Sequence, residues 1–278
     1  MKDIKRRIKS VGSTRQITKA MELVASSKLR KAKQRAEQGR PYFYELYRSM
    51  CEIASANTDF STVYTQKRDV KNRLFIVIAG DRGLAGGYNS NLLKLAAAAH
   101  AGDADKPKII AIGKKSIEYF SKRGYELVGS FADVAEDIKQ STAQDIANIA
   151  LEMFKKGEVD DVQLFYTTFV SSLTQEPQQM AVLPMKTQKL DNYGTMCYDP
   201  SPEAVFDRIV PRFTASLLQC AIVEAYASEQ GARRTAMESA TDNADTMIAD
   251  LSLLYNRARQ ASITQELTEI VSGANALE

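Results

Sequence analysis

Three regions of the chain differ in the spacing of their apolar residues, and each spacing predicts a different kind of element. Residues 1–55 carry apolar side chains at intervals of three and four, which predicts one long helix with a narrow apolar stripe. The remaining surface of this helix is largely Lys, Arg and Gln, as expected where most of a helix faces water. The stripe consists of Ile4, Ile8, Val11, Ile17, Met21, Val24, Leu29, Ala32 and Ala36.

Residues 72–195 alternate short, continuous apolar runs with helical stretches. Runs of this kind are typical of strands buried on both faces, and their alternation with helices predicts a mostly parallel, Rossmann-like sheet. One further run, Gln178–Met185, predicts a strand that returns along an edge of the sheet. The other strands are predicted within Leu74–Gly80, Pro107–Gly113, Tyr125–Phe131 and Val162–Ser172.

Residues 203–278 show the most regular pattern, a seam in which steps of three and four alternate for more than three heptads. That regularity predicts a coiled coil. Ser201 and Pro202 are suited to the start of the helix, and Pro211 is expected to kink or restart it. The seam consists of Met237, Ala240, Ala244, Met247, Leu251, Leu254 and Ala258.

The terminal regions carry opposite charge: residues 1–40 sum to about +10, and residues 203–278 to about −5. Two narrow seams with opposite charge predict that the terminal helices pair as an antiparallel coiled coil. The expected fold class is therefore α+α/β, with domains at 1–55, 72–195 and 203–278 and a Rossmann-like domain inserted at one end of the coiled coil.

The end of the C-terminal helix is apolar and carries no charge between Glu269 and Glu278. If the N-terminal helix is the shorter one, this tip projects alone, and a lone apolar tip implies burial in a partner protein. Its apolar positions are Ile263, Leu267, Ile270, Ala274 and Leu277.

The residue inventory excludes several kinds of chemistry. His100 is the only histidine, so a His-based triad or a His-rich metal site is excluded, and neither a metal nor a cofactor is expected. Cys51, Cys197 and Cys220 are odd in number and widely spaced, which favours a reducing, cytoplasmic compartment. No apolar run reaches the length of a membrane span.

Three features of the chain bear on alternative functions. The loop Ala79–Asn89 lies where a dinucleotide-binding loop would, but its glycines do not match G-x-G-x-x-G, which favours a tight turn and close helix packing over an oxidoreductase site. Ile112–Ser116 resembles a phosphate loop only superficially. The basic N-terminal helix suits nucleic acid, but it lacks interleaved aromatic residues.

Four segments spread along the chain resemble the γ subunit of F-type ATP synthases, and the likeness runs in order through essentially the whole chain. The resemblance implies a central rotary shaft inside a ring of alternating α and β subunits, with the α/β domain at the foot beside the ε subunit and the membrane rotor ring of c subunits. Such a subunit couples ion flow to ATP synthesis without catalysing a reaction itself. The segments are Ile4–Ala32, Gly80–Asn89, Tyr255–Leu267 and Ile263–Ala276.

The resemblance also implies roles for individual residues. Arg259 and Gln260, with Thr264 nearby, would contact a catch loop of β, and Tyr198 with Asp199 would meet the rotor ring. The tip would turn within an apolar sleeve. The shaft positions implied near β and its acidic lever are Met21, Lys28, Arg30, Lys31 and Lys33. The alternative for each lysine and arginine among them is a solvated charge without a partner.

Two departures bear on the source and the location. The chain lacks the cysteine-bearing insertion of chloroplast γ subunits and a mitochondrial transit segment, which favours a bacterial source. The resemblance then implies one copy per complex, at the cytoplasmic face of the cell membrane.

Overall fold

The computed structural model describes residues 1–55, 60–100, 105–186 and 197–275, with side chains up to residue 272. The chain forms two compact units: the helical unit, Met1–Ala25 with Arg234–Glu278, and the α/β unit, Ser26–Arg233. The predicted domain limits at residues 55, 72, 195 and 203 stay a prediction. The elements are α1 (Lys2–Ser55), β1 (Arg73–Ile78), α2 (Tyr88–Ala98), β2 (Lys108–Ile112), α3 (Lys114–Lys122), β3 (Leu127–Phe131), α4 (Gln140–Lys155), β4 (Asp161–Phe169), β5 (Gln175–Leu183) and α5 (Pro202–Asn275).

The α/β unit contains a five-stranded sheet with the order β3-β2-β1-β4-β5. Strands β1 to β4 are parallel, and β5 pairs antiparallel with β4 at the edge. The predicted Rossmann-like sheet and its returning edge strand are both confirmed.

Strand β1 is buried from both sides because successive side chains of a strand point to opposite faces. Leu74 and Ile76 belong to the core that the sheet forms with α4, α1 and α5. Phe75 and Val77 belong to the second core, beneath α2 and α3. The sheet is therefore covered on both faces, and one of its layers includes the long terminal helices.

Helix α5 continues through Pro211, so of the predicted kink or restart at this residue the restart is wrong, and the kink stays a prediction. An internal proline removes a backbone hydrogen bond and costs about 3 kcal/mol. Here Phe206 and Val210 are fully buried just before Pro211, and Phe213 is buried just after it. Burial of large apolar side chains on both sides of the proline offsets its cost.

The helical unit pairs α1 with α5 in antiparallel fashion. Thr18 lies beside Thr241, with their hydroxyl oxygens 2.8 Å apart, and Arg15 forms an ion pair with Asp245. The lower-numbered residue of α1 therefore pairs with the higher-numbered residue of α5, which shows that the two helices run in opposite directions. The predicted fold class, an antiparallel helix pair with an inserted α/β domain, is confirmed.

The seam of α1 differs from the predicted stripe in its middle portion. Ile17 and Val24 are 60% and 56% exposed, whereas Thr18, Glu22 and Ala25 are buried. The polar groups need no water because they are bonded within the protein: Lys19 pairs with the Glu22 carboxylate at 3.0 Å. The predicted seam positions Ile17 and Val24 are therefore wrong.

The seam of α5 needs a similar correction. Met237 and Ala244 are buried as predicted, but Met247 and Leu254 are 53% and 50% exposed, and Thr241 takes a buried place. The Thr241 hydroxyl donates a hydrogen bond to the Met237 carbonyl oxygen at 2.8 Å, so this buried polar group is bonded within the protein. The other predicted members, Ala240, Leu251 and Ala258, are partly buried.

Candidate partner-binding surfaces

The last turns of α5 present apolar side chains to solvent. Ile263, Leu267 and Ile270 are all exposed, Ile270 by 68%. Neighbouring polar groups are bonded along the helix itself, as in the hydrogen bond from Gln265 Nε2 to Glu269 Oε1 at 3.0 Å. Of the other predicted tip residues, the Ala274 side chain and all of Leu277 lie outside the described residues.

The predicted contact triad for a catch loop lies on the surface of the same helix. Arg259, Gln260 and Thr264 are all exposed. Thr264 Oγ1 donates to the Gln260 carbonyl oxygen at 2.9 Å, which aligns these two residues one turn apart. An exposed guanidinium beside an aligned amide suits the capture of a carboxylate.

Two more apolar stripes lie on the surfaces of the helices, next to the seams. On α1, Ile17 and Val24 are two turns apart, with the partly buried Met21 between them. On α5, Met247 and Leu254 are likewise two turns apart. Sequence reasoning missed the exposed Leu23 and Leu253 beside these stripes; their signal is an apolar residue outside the three-four spacing.

The four cations assigned to α1 divide into two pairs. Lys28 Nζ lies 2.7 Å from Glu136 Oε1, and Lys33 Nζ lies 4.3 Å from the centre of the Phe169 ring, so both have partners within the α/β unit. Arg30 and Lys31 are exposed. Only this second pair faces solvent fully enough to meet another subunit without rearrangement.

The predicted foot residues differ in burial. Tyr198 packs against the main core of the α/β unit, and burial, followed by the charge of Glu52, raises the pKa of its phenol. Asp199 is exposed. Tyr198 therefore anchors the segment, and Asp199 is the group available to a partner.

The glycine-rich loop after β1 packs against α5. Arg233 Nη2 donates to the Gly83 carbonyl oxygen at 3.2 Å. A Cβ atom on Gly80 would lie 2.9 Å from the Glu229 carboxyl carbon, and Gly86 has a φ of 56°. These observations support the predicted tight turn at Gly86 and close packing at Gly80, whereas Gly83 has open space beside it.

Helix α5 occupies the crevice where doubly wound sheets bind nucleotides. That crevice lies at the carboxyl ends of the strands where the strand order reverses, here between β1 and β4. Ser228 Oγ donates to the Thr167 carbonyl oxygen at 2.9 Å, and a Cβ on Gly231 would lie 3.2 Å from the Phe169 ring. Contacts within the chain thus fill the position that a dinucleotide would need.

Buried charge accompanies this contact. Glu229 and Arg233 form an ion pair of 2.6 Å with little exposure on either side. Burial raises the pKa of the Glu229 carboxyl, and the neighbouring Arg233 opposes part of that rise. Burial likewise raises the pKa of Glu224, whose Oε1 accepts a hydrogen bond from the Phe169 amide at 3.3 Å.

The described residues contain no cluster of three or more His, Cys, Asp or Glu side chains that could hold a metal ion. His100 lies beside Tyr125, with its Nε2 2.9 Å from the phenol oxygen. Across the described ranges no helix is long and apolar enough to cross a membrane.

Comparison with known proteins identifies relatives along the full chain. A family model described as ATP synthase matches residues 1–277. An ATP synthase gamma chain of Ruminococcus albus is 55% identical over 279 residues, covering 99% of this chain and 97% of the relative. A gamma chain of Acetobacterium woodii named as sodium ion specific is 43% identical over 298 residues, covering 100% and 98%.

Solved structures share the fold. The central stalk and c-ring of the Tetrahymena thermophila mitochondrial ATP synthase includes a chain with a TM-score of 0.63 and 24% identity, covering 81% of this chain and 99% of that one. A chain of the Euglena gracilis mitochondrial ATP synthase has a TM-score of 0.71 and 19% identity, covering 99% and 94%. The described geometry and the full-length relatives agree, and the chain belongs to the ATP synthase γ-chain family.

Proposed function

We propose that this γ chain is the rotary shaft that couples ion flow through a membrane rotor ring to ATP synthesis or hydrolysis in a surrounding ring of α and β subunits. The observation that carries the proposal is the exposed apolar end of α5. The register of Thr18 with Thr241 brings Met1 level with about residue 259 of α5. Helix α5 therefore continues unpaired for roughly 24 Å, at 1.5 Å per residue, with apolar side chains that need a sleeve of other chains.

The proposed shaft performs no chemistry. Its two helices are unlike each other, so each β subunit meets a different surface as the shaft turns. Differential contact with open, loose and tight β conformations shifts their populations and hence their nucleotide affinity. The filled crevice between β1 and β4 supports a non-catalytic role, because the chain's own helix takes the place of a nucleotide.

Four surfaces have proposed partners. Arg259 and Gln260, aligned with Thr264, bind a carboxylate on a catch loop of β, and the apolar tip turns in a smooth sleeve. Arg30 and Lys31 face the acidic lever of β; the pairing of Lys28 and Lys33 within the α/β unit supports giving that role to the other two. Asp199 is placed at the foot, near the ε subunit and the c-ring.

The same proposal sets the location and the stoichiometry. The complex lies at the cytoplasmic face of the cell membrane, and the γ chain is a peripheral member of it. A shaft at the centre of a closed ring is present in about one copy per three copies each of α and β.

Reconstitution tests the function directly. The chain is mixed with α and β subunits, and the purified complex is analysed for stoichiometry, ATP hydrolysis and rotation of a bead attached to the exposed Cys197. Stepwise rotation driven by ATP is the expected result. A complex that hydrolyses ATP at the same rate without this chain, or tight stoichiometric binding of NAD(H) by the isolated chain in a calorimeter, contradicts the proposal.

A further inference from the structure

Helix α5 crosses the ends of β1 and β4 with small residues at two points of contact. Ala225 is 1% exposed there, and Gly231 allows the Phe169 ring to approach closely, whereas Ala227 clusters with Leu29 and Ala32 of α1. Small side chains permit close contact but interdigitate little, so steric contact alone resists rotation of the helix about its axis only weakly.

Hydrogen bonds, which are directional, can resist rotation of α5 where its side chains interdigitate poorly with the sheet. The described residues include four hydrogen bonds that join α5 to the ends of the strands and to the glycine loop, all within the α/β unit. They run from Tyr88 OH to the Ala225 carbonyl oxygen at 3.0 Å, from Ser228 Oγ to the Thr167 carbonyl oxygen at 2.9 Å, from the Phe169 amide to Glu224 Oε1 at 3.3 Å, and from Arg233 Nη2 to the Gly83 carbonyl oxygen at 3.2 Å.

The Glu229–Arg233 pair holds one of these bonds in place. Arg233 reaches Gly83 while its guanidinium is gripped at 2.6 Å by Glu229, and Glu229 is wedged against Gly80, which has no side chain. The charged groups that face Glu229 are Arg233 from its own helix, Asp81 from the loop and Lys28 from α1. A buried ion pair contributes little net stability, so its value here is geometric.

We propose that these pinning contacts, formed by Tyr88, Glu224, Ser228, Glu229 and Arg233, fix the rotation of α5 about its own axis and pass torque from the α/β unit into the shaft helix. The inference rests on the proposed rotary function. At a helix radius of about 5–6 Å including side chains, a rotation of about 20° moves the outer side-chain atoms by about 2 Å, which is enough to break the bonds made by the Glu224, Ser228 and Arg233 side chains. The Ala225 carbonyl oxygen lies nearer the axis and moves by less. The residues act by positioning α5 and contact no nucleotide.

The test compares torsional stiffness in a complex assembled with α and β subunits. The variant Ser228→Ala/Glu229→Gln/Arg233→Met removes two of the four bonds and both buried charges, so that no charge is left unpaired. The matched control, Arg212→Met/Glu158→Gln, makes the same change in charge at two exposed positions of the α/β unit. The shaft is held in one nucleotide-arrested state, and angular fluctuations are recorded from a bead on Cys197.

If the four bonds share the load equally, removing two halves the stiffness, and the angular variance rises about twofold. Hydrolysis of ATP by the same soluble complex should stay at the wild-type rate, because the α and β subunits contact the shaft and not the substituted residues. A general folding defect would instead lower assembly and hydrolysis together. Should the variant fail to assemble, Tyr88→Phe/Ser228→Ala removes two bonds without altering a charge and carries the same expectation.

An angular variance equal to that of the wild type and the control, in an assembled complex, overturns the proposal. This outcome is separate from failure of the rotary function itself. In that case the wild-type chain would not assemble or would not rotate, and no variant would be compared.

Discussion

The two units of this chain treat apolar residues in opposite ways. In the α/β unit, strand β1 is apolar and fully enclosed, and large side chains such as Phe206 are inaccessible to water. In the helical unit, buried positions are held by residues such as Thr18 and Thr241, while Ile17 and Leu254 face outward. The first unit encloses a core of large apolar side chains, whereas the second leaves several of its large apolar side chains exposed.

The difference indicates what each unit is for. A folded domain buries its apolar groups because burial contributes about 25 cal/mol per Å². The helix pair buries hydroxyls and exposes isoleucine, methionine and leucine side chains, so burial of these exposed side chains contributes little to the folding of the chain. Under the proposed rotary function they would be buried against other chains, and this can be tested separately from the folding of the chain.

The largest expected effect contrasts Phe206→Ala with Leu254→Ala. Emptying the fully buried Phe206 site should lower the free energy of unfolding of the α/β unit by about 3–5 kcal/mol, since transfer and cavity costs add. Leu254→Ala should change the stability of the free chain by less than about 0.5 kcal/mol and weaken binding to the α/β subunit ring. Denaturant titration measures the first effect, and a pull-down with α and β measures the second. Equal destabilisation by both substitutions would erase the distinction between the units.

An intermediate effect is expected at the predicted contact triad of α5, Arg259, Gln260 and Thr264. Arg259→Ala/Gln260→Ala should leave assembly intact and lower ATP hydrolysis by the reconstituted complex roughly tenfold, equivalent to about 1.4 kcal/mol. The reason is that an exposed guanidinium contributes through its contact with a partner and hardly to its own fold. Arg257→Ala, at another exposed arginine of the same helix, serves as the control. Wild-type turnover in the double variant would remove the assignment of a catch contact.

A smaller effect is expected for the threonine pair in the seam. Either single substitution, Thr18→Val or Thr241→Val, removes the hydrogen bond between the two helices, while the remaining hydroxyl keeps its bond to a carbonyl oxygen of its own helix, and should cost about 1 kcal/mol. The double substitution restores matching apolar groups and should lie within about 0.5 kcal/mol of the wild type. Thermal unfolding of the four proteins completes the cycle, and strictly additive losses would show that the hydroxyls do not interact in solution.

The smallest effect concerns pH and Asp207, on the α5 portion of the α/β unit. Burial raises the pKa of this carboxyl above its usual 3.8, so the folded state holds the proton more tightly than the unfolded state. The resulting stability is fully present below about pH 3.8 and is lost as pH rises through the folded-state pKa. Asp207→Asn should flatten this decline in an unfolding series at increasing pH. A steeper decline in the variant would reverse the sign of the argument.

Sequence patterns predicted the elements better than the contacts between them. Continuous apolar runs located β1 and β2, because enclosure on two faces leaves an unbroken signal. The edge strand β5 is mostly not enclosed, and only its apolar end with Val182 and Leu183 carried such a signal. The seam phase was wrong near Ile17 because apolar spacing cannot tell the face packed on the other helix from an exposed apolar face. The hydrogen bond from Arg233 to the Gly83 carbonyl oxygen was missed because Gly83 is distant in the chain. Its acceptor is a backbone atom, which no pattern of side chains encodes.

The crossing of α5 over the carboxyl ends of the sheet has a consequence for ligand binding. A domain of this architecture often binds a nucleotide in that crevice, but here a nucleotide would have to displace a helix of the same chain, whose covalent attachment gives it a high effective concentration. Binding there would require α5 to leave the sheet.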